Sequence, residues 1–291
     1  MQIFGLSKLV GTFFSSEQAV FWFSSQEILM AWQKRKKRLP LTAQSGFAHG
    51  QIDHVEWAVR TVTGLCEQEG IQVNQPFAFH TAVVFVATAS SPVERKITRR
   101  VFQKAGFQKV TLISYATALR AFAQRQAIHT GVGLYVGTDV SEQVVFSPKD
   151  QEGMPLKHSL LEASHDIQLL LREELKLEIS PETARELYAL LGRRKEVNSH
   201  VVRGRSIQSQ QVETRTLKST TIETIRSFFR EKLLRELQPM FAIPLFTHSQ
   251  PNHWVVIGDA LLNQLVQDEY QVNTVYLHSE FELIQGVQWL S

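Results

Sequence analysis

One cysteine in 291 residues leaves no disulfide to form within the chain. Cys66 is expected as a small buried apolar residue suited to a reducing compartment. No uninterrupted apolar run approaches the roughly 18 to 20 residues that span a bilayer, and the first residues lack the charged-then-apolar pattern of a signal peptide. The expected location is therefore cytoplasmic. Net charge is also scarce: +3 overall, with a pI of about 9.0, permits an acidic partner without requiring one, and nucleic acid is not implied. The ten histidines are scattered, without HxH, HExxH or paired CxxC, so no metal site is expected. Glu173-Glu174 and Asp268-Glu269 read as solvated helix faces rather than acid/base couples.

What is present is an ordinary globular composition, 43% hydrophobic and 20% charged, enough to bury a core in one large domain or two related lobes. The best punctuated stretch is "SSPVERKITRRVFQKAGFQKVTLISYATALRA", residues 90–121. Ser91 can cap a helix, Pro92 suits its first position, and Glu94 completes a capping box. Val93, Ile97, Val101 and Ala105 share one face, Arg95, Lys96, Arg99, Arg100 and Lys104 occupy the rest, and Gly106 supplies a left-handed stop before the strand "KVTLIS".

The rest of the chain alternates in the same way. "KLVGTFF", "QAVFWFSS" and "EILMAWQ" read as an antiparallel meander, and "QKRKKRLPLTAQSGFAHG" as a basic connection without periodicity. A helix over about 53–69 precedes the buried strand "FAFHTAVVFVAT", and "GVGLYVGTDVSEQVVFSP" reads as two strands around a turn. Helices are predicted over 164–175, 181–191 and 221–237, followed by a strand "WVVIG", a helix "ALLNQLVQ", a strand "VNTVYLH" and a final short helix. Meander, helix, strand and helix, given twice, describe two α/β lobes of one topology.

Four segments resemble the bacterial actin homologue MreB, within the superfamily of actin, sugar kinases and FtsA: "SPVERKITRRVFQKAGFQKVTLIS", "GQIDHVEWAVRTV", "SPETARELYALLG" and "VVIGDALLNQL". The likeness runs from about Leu9 to Val287. It implies an α/β, actin-like (ribonuclease-H-like) two-lobe fold with a central cleft. Lobe I would be residues 1–131, its small subdomain largely missing and reduced to about 33–53, and lobe II residues 132–291, with a shortened inserted subdomain at about 192–220.

The resemblance also implies where an ATP site would lie. The first phosphate loop, Asp-Leu-Gly-Thr in the family, aligns with Leu9-Val10-Gly11-Thr12. The second aligns with Tyr135 to Glu142, keeping one glycine of three. Gly11, Thr12, Gly137, Thr138, Ser141 and Gly258 would then form a remnant nucleotide cleft. The leading acid of the second loop is Tyr135, and the catalytic glutamate falls at Ser114-Tyr115. The nucleoside-side Glu and Lys align with Arg185 and Tyr188, the adenine-side triple glycine with Gly258-Asp259-Ala260, and the glycine pair before a helix falls within 161–165. Without those carboxylates no catalytic residue is expected, nor a cofactor beyond a degenerate ATP/Mg site.

The resulting expectation is a degenerate MreB homologue acting as a non-catalytic binding or scaffold protein in a cytoskeletal, cell-shape or envelope-assembly complex. Its partners would be proteins, with a homo-oligomer left open. Two alternatives stand: an active ATP-dependent filament protein, or an adaptor like PilM or FtsA for a membrane protein's cytosolic tail. The run Lys34, Arg35, Lys36, Lys37 and Arg38 could also hold an anionic surface, which would place the protein at the inner face of the membrane.

Overall fold

In the computed structural model, which describes residues 18–24, 26–32, 35–42, 44–48, 50–71, 73, 80–146, 153–193, 199–241, 253–277 and 282–283, the apolar runs form two five-stranded mixed sheets. The chain divides into two compact units, Met1–Phe122 with Glu280–Ser291, and Ala123–Ser279.

The first sheet has the order β3-β2-β1-β6-β7, with β1 at Gln18–Phe23, β2 at Glu27–Trp32, β3 at Arg35–Pro40, β6 at Thr81–Val86 and β7 at Lys109–Ser114. β1 pairs antiparallel with β2 and parallel with β6. Alternation sorts the side chains by face. Ala19, Phe21, Ile28, Met30, Ala82 and Val84 pack against Ala58, Val62, Leu65 and Cys66 of helix α1 (Val55–Gln68) and Val101 and Phe102 of helix α2 (Pro92–Lys104). The intervening residues Val20, Trp22, Leu29 and Phe85 are buried as well, so the sheet is covered on both sides. Phe21 lies 4.9 Å from Phe102 and 5.4 Å from Phe107 between ring centroids, an aromatic cluster that fixes α2 on the sheet. Both halves of the α2 capping box form: the Glu94 N–H donates to Ser91 Oγ at 3.2 Å and the Ser91 N–H to Glu94 Oε2 at 2.6 Å.

One expectation needs correction here. The stretch read as a basic connection contains β3, whose residues pair antiparallel with β2 from Arg35↔Trp32 to Pro40↔Glu27. Sheet edges tolerate such charge because one side of the strand stays solvated. What separates β3 from α1 is correspondingly short, and holds the two-stranded ribbon of β4 (Phe47–Ala48) and β5 (Gln51–Ile52). The "KLVGTFF" run, with Gly11 and Thr12, lies outside the described residues, as does Lys34. A helix the reading did not supply, α3 (Tyr115–Arg125), begins where Ser114 Oγ accepts the Thr117 N–H at 3.2 Å. The first unit ends inside it, before Ala123.

The second sheet repeats the topology as β10-β9-β8-β14-β15: β8 (Gly131–Val136), β9 (Ser141–Phe146), β10 (Met154–Leu156), β14 (His253–Ile257) and β15 (Asn273–Leu277). β8 pairs antiparallel with β9 and parallel with β14, as β1 does with β2 and β6. Four helices accompany this unit: α4 (Leu160–Leu175), α5 (Pro181–Leu191), α6 (Ser219–Phe241) and α7 (Ala260–Tyr270). Their apolar stripes and one face of the sheet, including Leu134, Val136, Trp254 and Val256, make a single core. A small antiparallel sheet of β11 (Leu177–Ile179), β12 (Ser199–Ser206) and β13 (Val212–Lys218) falls largely within 192–220. The helix expected at 164–175 starts four residues earlier, at Leu160, because Ser159 caps it by accepting the Glu162 N–H at 3.1 Å.

Candidate functional site

The turn joining β8 to β9 spends its own backbone groups. The Gly137 N–H donates to Val140 O at 3.0 Å, while Gly137 O and Thr138 O accept the Leu160 and Leu161 N–H groups at 3.0 and 2.9 Å. Those are the first two amides of α4, so the helix end that could face an anion is closed by the turn. Gly137 is required by packing: a Cβ there would lie 2.5 Å from the hydroxyl of the buried Tyr135 and 2.7 Å from Val140 O. Thr138 and Asp139 are half-buried, and Ser141 is buried, its hydroxyl without a hydrogen-bond partner among the described residues.

A pocket of about 320 Å³ opens beside this turn within the second unit, lined by Leu160, Arg185, Tyr188, Gly192, Asp259 and Tyr276 among others. Glycines bring its walls together. Gly258 has φ +88°, and a Cβ there would stand 2.1 Å from Val136 O, while one on Gly192 would meet Leu261 N at 2.7 Å. Arg185 is held at the rim, donating to Glu182 Oε1 at 3.1 Å and to Pro181 O at 3.3 Å.

Beneath the pocket lies a buried polar cluster drawn from four elements. Asp259 caps α7, accepting the Leu262 N–H on Oδ1 at 2.9 Å. Its Oδ2 accepts the Tyr188 hydroxyl at 2.7 Å and lies 3.1 Å from His158 Nε2, itself 2.9 Å from the Tyr188 oxygen. The His158 N–H donates to Glu236 Oε2 of α6 at 2.8 Å. Burial works to raise the Asp259 carboxyl, but the hydrogen bond and charge of His158, with the donors of Leu262 and Tyr188, hold it below its ordinary range. Burial, then the Asp259 charge, push the Tyr188 phenol well up.

Comparison with solved structures decides the fold. MreB5 of Spiroplasma citri bound to ADP superposes with a TM-score of 0.73 at 13% identity, over 94% of this chain and 95% of that one. The MamK double helical filament gives 0.71 at 10% identity, over 94% and 98%. EutJ, an ethanolamine utilization protein from Carboxydothermus hydrogenoformans, gives 0.54 at 12%, over 90% and 84%. The chain has an actin-like fold, similar to those of MreB5 and MamK. No protein-family model and no curated protein sequence matches it.

In this actin-like fold the pocket brings together Arg185, Tyr188, Gly258, Asp259 and Ala260, the nucleoside-side residues of the sequence comparison. Tyr188 forms the wall instead of filling the space, because its hydroxyl is turned to Asp259. The segment before α4 is Lys157 to Ser159, not 161–165, which lies inside the helix. His158 was missed: a lone histidine carries no sequence signal for partners 30 and 101 residues away.

The repeated topology makes the β1–β2 connection, entered at Ser24, twelve residues beyond Thr12, the counterpart of 137–140. It too is self-satisfied, with Ser24 Oγ accepting the Gln26 and Glu27 N–H groups at 3.1 and 3.2 Å. Ser114 caps α3 and the Tyr115 ring lies 5.9 Å from Phe85; neither side chain carries a carboxylate. Of the basic run, Lys37 pairs with Glu69 at 3.1 Å and Arg38 with Glu27 at 3.3 Å; burial raises Glu27 and the Arg38 charge partly offsets it. Among the described residues no group of three or more His, Cys, Asp or Glu could hold a metal ion, and no helix is long and apolar enough to cross a membrane.

Proposed function

We propose that this chain is a non-catalytic actin-like protein that works by binding, as a scaffold in a cytoskeletal, cell-shape or envelope-assembly complex. The observation that carries the reading is the β8–β9 turn. Its glycine is committed to Tyr135 and its carbonyls to the first amides of α4, leaving Asp139 where a phosphate would need neutral or positive surroundings. The residues present therefore do not fit a magnesium triphosphate. Hydrolysis needs a carboxylate to orient water, and Ser114, Tyr115 and Tyr135 supply none.

The open pocket favours a second reading, in which the nucleoside half of a ligand still binds and the protein assembles with copies of itself. Its volume reaches the range of small-molecule sites. MreB5 was crystallised with ADP and with AMPPNP, and MamK as a double helical filament. Calorimetric titration with ATP and magnesium, beside adenosine alone and a phosphate-release assay, separates the two. The scaffold reading expects no turnover and ATP binding no tighter than that of adenosine. Micromolar ATP affinity, with turnover lost on Asp139→Asn or Glu142→Gln, would replace it with a divergent ATPase.

A further inference from the structure

The strongest unassigned surface is the solvent face of α2. The helix holds five basic residues against one acidic residue, Glu94, so its formal charge of +4 exceeds the +3 of the whole chain. Arg95 is turned away, donating to Thr88 O at 2.9 Å and Ser90 O at 3.1 Å, and Glu94 is occupied by the capping box. Lys96, Arg99, Arg100 and Lys104 remain exposed, and none of the four makes an ion pair among the described residues. In this they differ from β3, where Lys37 and Arg38 already have carboxylate partners. Their spacing of three, four and eight residues lines them along about 12 Å of one helix face. Lys109, exposed at the start of β7, follows.

We propose that this strip docks an acidic segment of a partner protein, its carboxylates presented in a row. The neighbouring charges choose among polyanions. α1 packs beside α2 on the same face of the sheet and exposes Glu56 and Glu67 against a single cation, Arg60. A bilayer laid on α2 would also meet those carboxylates, whereas a helix or extended segment, about 10 to 12 Å wide, covers the strip alone. On α2 itself the exposed large hydrophobic is Val93, 66% exposed, and no exposed aromatic lies on that helix, which again disfavours a lipid surface. This docking surface is independent of the nucleotide pocket, so it stands or falls apart from the reading above.

The test uses the full chain with fluorescently labelled poly-L-glutamate, followed by anisotropy at low ionic strength. A variant carrying Lys96→Gln, Arg99→Gln, Arg100→Gln and Lys104→Gln is compared with Arg35→Gln/Lys36→Gln on β3, and thermal melts check that both are folded. Loss of four exposed charge contacts should weaken binding by about tenfold or more, with a marked dependence on salt, while the β3 variant binds nearly as tightly as the parent. Vesicles of phosphatidylglycerol and phosphatidylcholine, and duplex DNA, form the other arms. Failure of polyglutamate to bind, binding unchanged in the α2 variant, or α2-dependent binding of vesicles or DNA in its place would each overturn the proposal.

Discussion

Replacing Asp259 by alanine should destabilise the second unit more than any other single polar change in it. The carboxylate caps α7 through Oδ1 and accepts two buried donors on Oδ2, from Tyr188 at 2.7 Å and His158 at 3.1 Å. Losing the cap costs about 1 kcal/mol. The two donors, in residues at 5% exposure or less, lose their shared acceptor and keep only each other at 2.9 Å, at about 1 to 3 kcal/mol for each hydrogen bond lost before relaxation. Water entering from the adjoining pocket recovers part of this, so the net expectation is roughly 3 to 5 kcal/mol, the range for breaking a buried ionic contact from one side. The melting temperature, read by circular dichroism, should fall by roughly 10 °C. Tyr188→Phe leaves Asp259 two of its three partners and should cost about 1 kcal/mol. In the Asp259→Ala background it removes a hydroxyl that has already lost its carboxylate acceptor, so the double variant should be less destabilised than the sum. The pH dependence has a definite sign. Because the folded carboxyl titrates below its ordinary 3.8, its contribution is present above that value and is lost as pH falls through the folded value. Asp259→Ala should lack this acid-side loss. A fall of less than about 2 °C, or strict additivity in the cycle, would refute the cluster's role.

Two glycines should respond in opposite directions, measured by urea denaturation. Gly258→Ala meets both φ +88° and a contact of 2.1 Å with Val136 O, so a loss of about 2 kcal/mol or more is expected. Gly64→Ala, inside α1 with nothing within 4 Å of the new methyl, should gain about 0.5 to 1 kcal/mol. Cys66, fully buried and with its thiol pushed up to about 12 by burial and then by Glu67, should resist a thiol reagent at neutral pH until the protein is unfolded.

The sequence alone determined most of the elements, because their signals are local. The Ser91-Pro92-Glu94 cap, the α2 periodicity and the left-handed Gly106 stop need only neighbouring residues, as do the apolar runs of β1, β2, β6 and β7. The repetition of one topology was legible for the same reason, being a matter of order along the chain. Charge was misread where a local rule points the wrong way. A run of cations without periodicity looks like a loop, yet β3 is held by the register of β2 and tolerates charge because it lies at a sheet edge.

Only the tertiary structure decided the site. The cluster joins His158, Tyr188 and Asp259 with the carboxylate of Glu236, and none of these contacts is signalled by spacing. The closing of the β8–β9 turn on the first amides of α4 joins residues about twenty apart, through a geometry that no motif encodes. At Gly137 and Gly258 a Cβ would collide with the backbone or side chain packed against it, a requirement that only the folded chain displays. Such contacts arise from three-dimensional closeness, where burial makes an unpaired polar group or a misplaced methyl costly, and a one-dimensional pattern does not carry that information.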